Sequence, residues 1–226
     1  MQKRYIPIAI FFTVLLLILA HFSGRALAVP ASFTYAESKQ VYLTFDDGPS
    51  DSVTTPILDT LKRERIKATF FVVSDRGHGR EEILKRMARE GHTIGVHSAT
   101  HKYSEIYASD EALLKDIDEC AAFIKKTTGI APTYYRFPGG SFTHEERRAL
   151  VTDHGYTIVD WNAECGDGNN NGMPAETLVK TVLQTAEDKA KVVLLLHDSA
   201  FCKSTRDALP SIISEFRARG YTFCAF

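Results

Sequence analysis

The chain has 226 residues, room for one substantial domain but too few for two of ordinary size. Apolar residues make up 44% and charged residues 24%, which excludes a disordered tail and supports a packed core. The formal net charge is −1 with no basic cluster, which excludes a nucleic-acid surface.

The first 28 residues read as an export signal peptide. Lys3 and Arg4 precede an apolar run over 6–20, and Ala26-Leu27-Ala28 offers small residues for cleavage after Ala28. Extended to Phe22, the run is at the short end for a spanning helix, so an uncleaved membrane anchor is the alternative. Removing 1–28 takes away Lys3, Arg4 and Arg25 and no acid, leaving 24 basic against 28 acidic side chains, a formal charge of −4. A secreted or cell-surface, mildly acidic, monomeric domain suits a sugar or peptide substrate.

A linker over 29–40 leads into strand-like and helix-like segments that alternate across 41–226. Residues 41–45 are short, β-branched and aromatic, as in a buried strand. Thr55-Pro56 opens a helix with Ile57, Leu58 and Leu61 on one side. Residues 68–73 form a second strand, and 81–90 a helix stopped by Gly91. The third strand, 93–96, precedes a long helix capped at Ser109 whose stripe is Leu113, Ile117, Cys120 and Ile124.

Strand four spans 134–137, a helix 143–154, and strand five 157–160. Pro174 opens a helix, 192–196 is a wholly apolar strand six, a last helix containing Pro210 runs to Arg219, and 221–226 is strand seven. Seven strands alternating with six helices predict an α/β fold with a parallel sheet, as a barrel or an open doubly wound sheet. No glycine-rich phosphate loop follows any strand, which disfavours a nucleotide fold.

Polar residues cluster where these strands end. Asp46 and Asp47 follow strand one, His97 strand three with His101 four residues on; Arg136 sits in strand four, Asp160-Trp161 ends strand five and His197-Asp198 ends strand six. In a parallel α/β fold all C-terminal strand ends share one face, so residues distant in sequence converge there. Ionisable groups in such places are costly to desolvate unless paired or bound to metal. His97 and His101 with one carboxylate suit a catalytic metal site with open positions. The spacing alone is weak evidence, because histidine pairs often only fill space and Asp-Asp-Gly-Pro also makes a good turn.

Adjacent carboxylates suggest divided labour. Asp47 would bind the metal, Asp46 would act as base held by Arg136, and His197 as acid with its pKa raised by Asp160. Trp161 would form an apolar wall, whereas His92 would brace a turn. Four cysteines allow disulfides in an oxidising compartment: Cys165 with Cys202 is the favoured pair, and Cys120 on its helical stripe reads as a buried thiol.

Thr44-Phe-Asp-Asp-Gly-Pro49, His97-Ser-Ala-Thr-His101, Arg136-Phe-Pro-Gly139, Asp160-Trp161 and Leu195-Leu-His197 resemble the five ordered motifs of NodB-type polysaccharide deacetylases, carbohydrate esterase family 4. The resemblance implies a distorted (β/α) barrel of about seven parallel strands. It implies Asp47, His97 and His101 as ligands of one divalent ion, zinc first and cobalt, nickel or manganese after it. Asp46 would be the base, Arg136 its orienter and His197 the acid assisted by Asp160. Trp161 and Leu195 would line the acetyl pocket, and the Gly139 N–H would face the oxyanion. Many members carry another aspartate where this chain has Thr157, which puts Asp160's partner in doubt.

The implied reaction is N-deacetylation of N-acetylglucosamine in a cell-wall glycan, peptidoglycan or chitin-like. O-deacetylation of an acetylated xylan would use the same groups. An inert wall-binding module is disfavoured because every motif is present. A non-haem iron oxygenase is disfavoured by the paired Asp46 and the missing cosubstrate anchor.

Overall fold

The computed structural model describes residues 38–168 and 172–226. The signal-peptide reading and nearly all of the linker lie outside the described residues. In chain order the elements are β1 (Gln40–Gly48), α1 (Thr54–Glu64), β2 (Thr69–Val73), α2 (Ser74–Gly77), α3 (Glu81–Arg89), β3 (Thr93–Ser98), α4 (Tyr103–Ile106) and α5 (Asp110–Thr128). After β4 (Tyr134–Tyr135) come two 3₁₀ turns (Ser141–Thr143 and Glu145–Arg147), α6 (Arg148–Asp153), β5 (Thr157–Ile158), β6 (Ala163–Glu164), α7 (Ala175–Thr185), β7 (Lys191–His197), α8 (Lys203–Ala218) and β8 (Thr222–Cys224).

All strand pairs are parallel, in the order β5-β4-β3-β2-β1-β7-β6, with β8 beside β1. The first residues of β1, Gln40 to Tyr42, pair with β8, and its later residues pair with β2. The order forces the sheet to curl. Flat, its two edge strands would stand about 29 Å apart at ~4.8 Å per strand. The chain crosses from Ile158 in β5 to Ala163 in β6 in five steps, reaching at most about 18 Å. The edges therefore bend toward each other into a half-barrel, open between β5 and β6. This is the distorted barrel expected, and it decides against an open doubly wound sheet.

Burial explains the strands. Every residue of β2 is buried, as in a strand covered on both faces. In β1, Val41, Leu43 and Phe45 are fully buried and pack with Phe70, Val72, Val96 and Leu194 in one core. The long helix α5 is capped by Ser109, whose Oγ accepts the Ala112 N–H at 3.1 Å, and it buries Leu113, Ile117, Cys120 and Ile124.

Several boundaries differ from expectation. Helix α1 begins at Thr54, one residue before the expected Thr55 cap, with Val53 at the cap position and no side-chain cap. The expected helix over 143–154 opens as the two 3₁₀ turns and becomes α-helical at Arg148. Pro210 lies within the last helix, α8, as expected, in its interior rather than its first turn. β6 was not foreseen, since Asn162-Ala163-Glu164 holds no β-branched or aromatic run. All four cysteines are free thiols, so the expected Cys165–Cys202 bond is not made. Cys120 is the buried thiol anticipated, donating to the Val72 carbonyl at 3.2 Å.

Candidate active site

In a regular strand Asp46 and Asp47 would point to opposite faces, because side chains alternate. β1 avoids this with a bulge. Asp46 lies opposite Phe71 and Gly48 opposite Val72, so Asp47 is the extra residue, in the left-handed region at φ 77°. β3 does the same across the other side of β2: Val96 faces Val72 and Ser98 faces Val73, leaving His97 extra. The two irregularities flank the end of β2 and turn both side chains toward one rim. His101 also has positive φ, 59°, and its N–H donates to Ser98 Oγ at 2.8 Å. A non-glycine residue there is held by its surroundings, a pattern concentrated at functional sites.

Asp47 Oδ1 stands 3.1 Å from His101 Nε2 and 3.7 Å from His97 Nε2. One ligand atom from each of Asp47, His97 and His101 lies within 4.8 Å of the others. His97 Nδ1 is 2.8 Å from the Arg136 carbonyl oxygen, to which only a protonated Nδ1 can donate; Nε2 then carries the lone pair facing Asp47. Asp47 Oδ1 is buried without a hydrogen-bond partner, although Arg76 Nη1 lies 3.2 Å away at an angle outside hydrogen-bond geometry. A buried carboxylate oxygen left unpaired between two imidazole nitrogens fits a divalent cation. Burial would raise the Asp47 pKa, but its interactions with His97, His101 and Arg76 lower it. Burial and His97 lower that of His101 against the pull of Asp47, which favours the neutral, ligating imidazole.

Asp46 stands beside this triad. Its Oδ1 accepts from Arg136 Nη1 at 2.8 Å, and its Oδ2 is 3.9 Å from His97 Nε2. Arg136 is completely buried. It spends its other donors on the Val159 carbonyl at 2.8 Å and Thr44 Oγ1 at 2.8 Å, which fixes the guanidinium behind Asp46. Burial lowers its pKa, and the Asp46 carboxylate opposes that.

Across the rim, Asp46 on β1 is the register partner of His197 on β7. His197 Nδ1 lies 2.6 Å from Asp167 Oδ1, and the His197 N–H donates to Asp167 Oδ2 at 2.8 Å. Thr205 Oγ1 also donates to Oδ2, at 2.6 Å. Burial works against the imidazolium, but the bond to Asp167 and its charge outweigh this and raise the His197 pKa to about 9. Burial likewise opposes ionised Asp167, and the same bond holds its pKa below the ordinary value.

The expected pairing of His197 with Asp160 is therefore corrected. Asp160 accepts from the Ser141 N–H at 3.1 Å, from the Ser141 hydroxyl and from Arg148 Nη1 at 2.9 Å, which ties the loop after β4 to the end of β5. Asp160 follows β5 at one sheet edge, whereas Asp167 follows β6, whose Glu164 pairs with Leu195 next to His197. The sequence did hold a signal for Asp167, a carboxylate between Gly166 and Gly168. That signal acquires meaning only once β6 places the glycine-flanked carboxylate beside β7.

A cavity of about 290 Å³ is lined by Asp46, Asp47, His97, His101, Gly139, Trp161, Leu195 and His197 of the expected residues, joined by Tyr103, Glu164 and Asp167. Arg136 stands behind Asp46 and Asp160 outside the lining. Gly139 and Gly140 both have positive φ, 82° and 88°, so the turn after β4 carries backbone rather than a side chain to the rim. His92 plays the bracing role expected, its Nδ1 accepting the Ala68 N–H at 3.2 Å.

A parallel half-barrel whose rim gathers a two-histidine, one-aspartate triad between a carboxylate and a paired imidazole defines a hydrolase-type site. The profile of the polysaccharide deacetylase family matches residues 34–159, and the chain belongs to that family as one of its hydrolases. It is 33% identical to a peptidoglycan-N-acetylglucosamine deacetylase of Bacillus cereus, over 87% of this chain and 72% of that protein. Identity to PgdA of Listeria monocytogenes, also named a peptidoglycan-N-acetylglucosamine deacetylase, is 31% over 98% of this chain, which spans only 42% of that protein's length. The crystal structure of the catalytic domain of the Eubacterium rectale peptidoglycan N-acetylglucosamine deacetylase superposes with a TM-score of 0.76. The identity is 35%, covering 83% of this chain and 88% of that one.

Proposed function

We propose that this protein removes N-acetyl groups from N-acetylglucosamine residues of a cell-wall polysaccharide outside the cytoplasm, using one divalent ion, most readily zinc. The carrying observation is that the Asp47–His97–His101 triad lies between two proton-handling pairs, Asp46–Arg136 and His197–Asp167, around one cavity. A bound divalent ion would supply Lewis-acid polarisation of the acetamide carbonyl and acidify the attacking water.

The chain's own groups do the rest. Asp46 Oδ2 takes a proton from the water as its oxygen bonds the carbonyl carbon, while Arg136 holds Oδ1 and so fixes which oxygen is free. The Gly139 N–H faces the developing oxyanion. His197 Nε2 gives its proton to the sugar nitrogen as the carbon–nitrogen bond breaks, with Asp167 orienting the ring through Nδ1. Water and acetamide become acetic acid and a free amine, the acid's proton then passing to the amine or to solvent, and the proton gained by Asp46 balances the one lost by His197.

The test is acetate release by the purified, zinc-loaded protein from peptidoglycan, N-acetylglucosamine oligomers and acetylated xylan. Release from the first two supports the proposal. Release from xylan alone would reassign the bond to an O-acetyl ester, and wall affinity without any turnover would mean a binding module.

A further inference from the structure

The Gly139 N–H belongs to the peptide that joins Pro138 to Gly139, and that peptide is the centre of a tight turn. The Gly140 N–H donates to the Phe137 carbonyl at 2.9 Å, and Gly139 has φ 82°. Proline at the second position fixes a negative φ there, so positive φ at the third makes this a type II turn. In a type I turn the central peptide is rotated by about 180°, which exchanges the directions of its carbonyl and its N–H. Pro138-Gly139 suits type II, yet glycine also takes the negative φ of type I, so the local sequence leaves both open.

A side chain distant in sequence meets this peptide. Tyr107 lies directly after α4, the short helix that begins two residues past His101, and its hydroxyl donates to the Pro138 carbonyl at 2.7 Å. Several contacts fix the ring. Ile106 beside it is buried, and the Tyr107 N–H donates to the Tyr103 carbonyl at 3.0 Å. The Tyr107 ring stacks on His144, centroids 3.7 Å apart and planes at 27°, and the Arg147 guanidinium lies 5.6 Å from its centre. Arg147 Nη2 also donates to the Tyr107 carbonyl, at 3.3 Å. Burial pushes the Tyr107 pKa up, with Tyr103 and Asp116 adding to it, so the hydroxyl keeps its proton and acts as a donor.

We propose that Tyr107 is a positioning residue for the oxyanion site: its hydroxyl holds the Pro138 carbonyl on one side of the turn and so keeps the Gly139 N–H aimed at the developing charge. This rests on the function proposed above. In a trans peptide the carbonyl and the N–H point in opposite directions, so anchoring one aims the other. Gly139 lines the cavity, whereas Tyr107 stands behind the turn, outside the lining. A rotated peptide would turn a carbonyl oxygen, the wrong end of the dipole, toward the oxyanion. A hydrogen bond accepted by the carbonyl also polarises the peptide and strengthens its N–H as a donor. An oxyanion donor acts by being in place before charge develops, and the Tyr107 bond supplies that fixity to a glycine-rich turn. One short segment thus carries both a metal ligand, His101, and the support of the oxyanion donor.

The test is Tyr107→Phe in the zinc-loaded protein, which keeps the ring and its stack on His144 and removes only the hydroxyl. Zinc content and KM for the N-acetylglucosamine pentamer should match the parent, while kcat falls about 10-fold, the signature of an interaction made in the transition state. That is less than the roughly 100-fold or more that outright loss of an oxyanion donor costs. Hydrolysis of a small aryl acetate, which also passes through a tetrahedral oxyanion, should slow by a similar factor. A merely structural hydroxyl would lower the melting temperature and leave kcat alone. If the parent releases no acetate from any glycan, the proposed function fails, and the aryl acetate still decides the role of Tyr107. A crystal structure of Tyr107→Phe reads the turn directly. A rotated Pro138–Gly139 peptide supports the assignment; parent-like rates with the peptide unrotated overturn it.

Discussion

His197 Nδ1 and Asp167 Oδ1 stand 2.6 Å apart, and the same carboxylate accepts the His197 backbone N–H, so one acid fixes both the ring and its strand end. Asp167→Asn should lower kcat about 100-fold, at the modest end for general acid–base catalysis. It should also draw the alkaline limb of the pH–rate profile down from about 9 toward the ordinary histidine range. Asp160→Asn should leave that limb in place. A limb that moves with Asp160 and not with Asp167 would reverse the assignment.

The same pair has a stability signature. The folded-state pKa of His197 is raised, so its contribution is fully present below the unfolded value near 6.5 and is lost as pH rises through about 9. Thermal melts of Asp167→Asn should therefore fall furthest below the parent at pH 6, and the gap should narrow toward pH 9.5.

Metal content separates the two adjacent aspartates. Asp46→Asn should retain zinc while losing turnover by about 100-fold or more. His101→Ala should lose zinc, as measured by elemental analysis after dialysis. Equal loss of metal in both variants would refute the division of labour between Asp46 and Asp47.

Arg136 is fully buried against Asp46, and removing one partner of such a pair strands the other charge. Arg136→Met should destabilise the fold by about 3–5 kcal/mol in denaturant melts. Adding Asp46→Asn should recover part of that loss. Arg136→Lys should rescue poorly, because one ammonium cannot reach Val159, Thr44 and Asp46 together.

Asp198 lies under the Asp46-Asp47-Gly48 turn. Its Oδ2 accepts from Thr54 Oγ1 at 2.6 Å, its N–H donates to the Asp46 carbonyl at 2.9 Å, and a Cβ on Gly48 would overlap its carboxylate. Gly48→Ala should destabilise the protein, and Asp198→Ala should relieve part of that, a coupling of about 1 kcal/mol or more in a double-mutant cycle. Burial raises the Asp198 pKa to about 7, so the folded state holds this proton more tightly than the unfolded chain. Parent stability should then fall, relative to Asp198→Asn, as pH rises from 4 to 7 and level off above.

The sequence by itself determined the alternation of strands and helices, the parallel sheet and most of the rim. Val192 to Leu196 is apolar throughout, His197 follows at once, and alternation with amphipathic helices leaves the strand ends one common face. Asp46, Asp47, His97, His101 and His197 were legible because each follows a recognisable strand. Only the tertiary structure decided how neighbouring side chains share that face. The bulges at Asp47 and His97 override the alternation that a strand pattern predicts, and they are set by register against β2. The choice of Asp167 over Asp160 was decided in the same way. β6 has no β-branched or aromatic run to mark it, yet it sets the chain on the edge beside β7, and proximity in a folded sheet follows strand neighbours rather than distance along the chain.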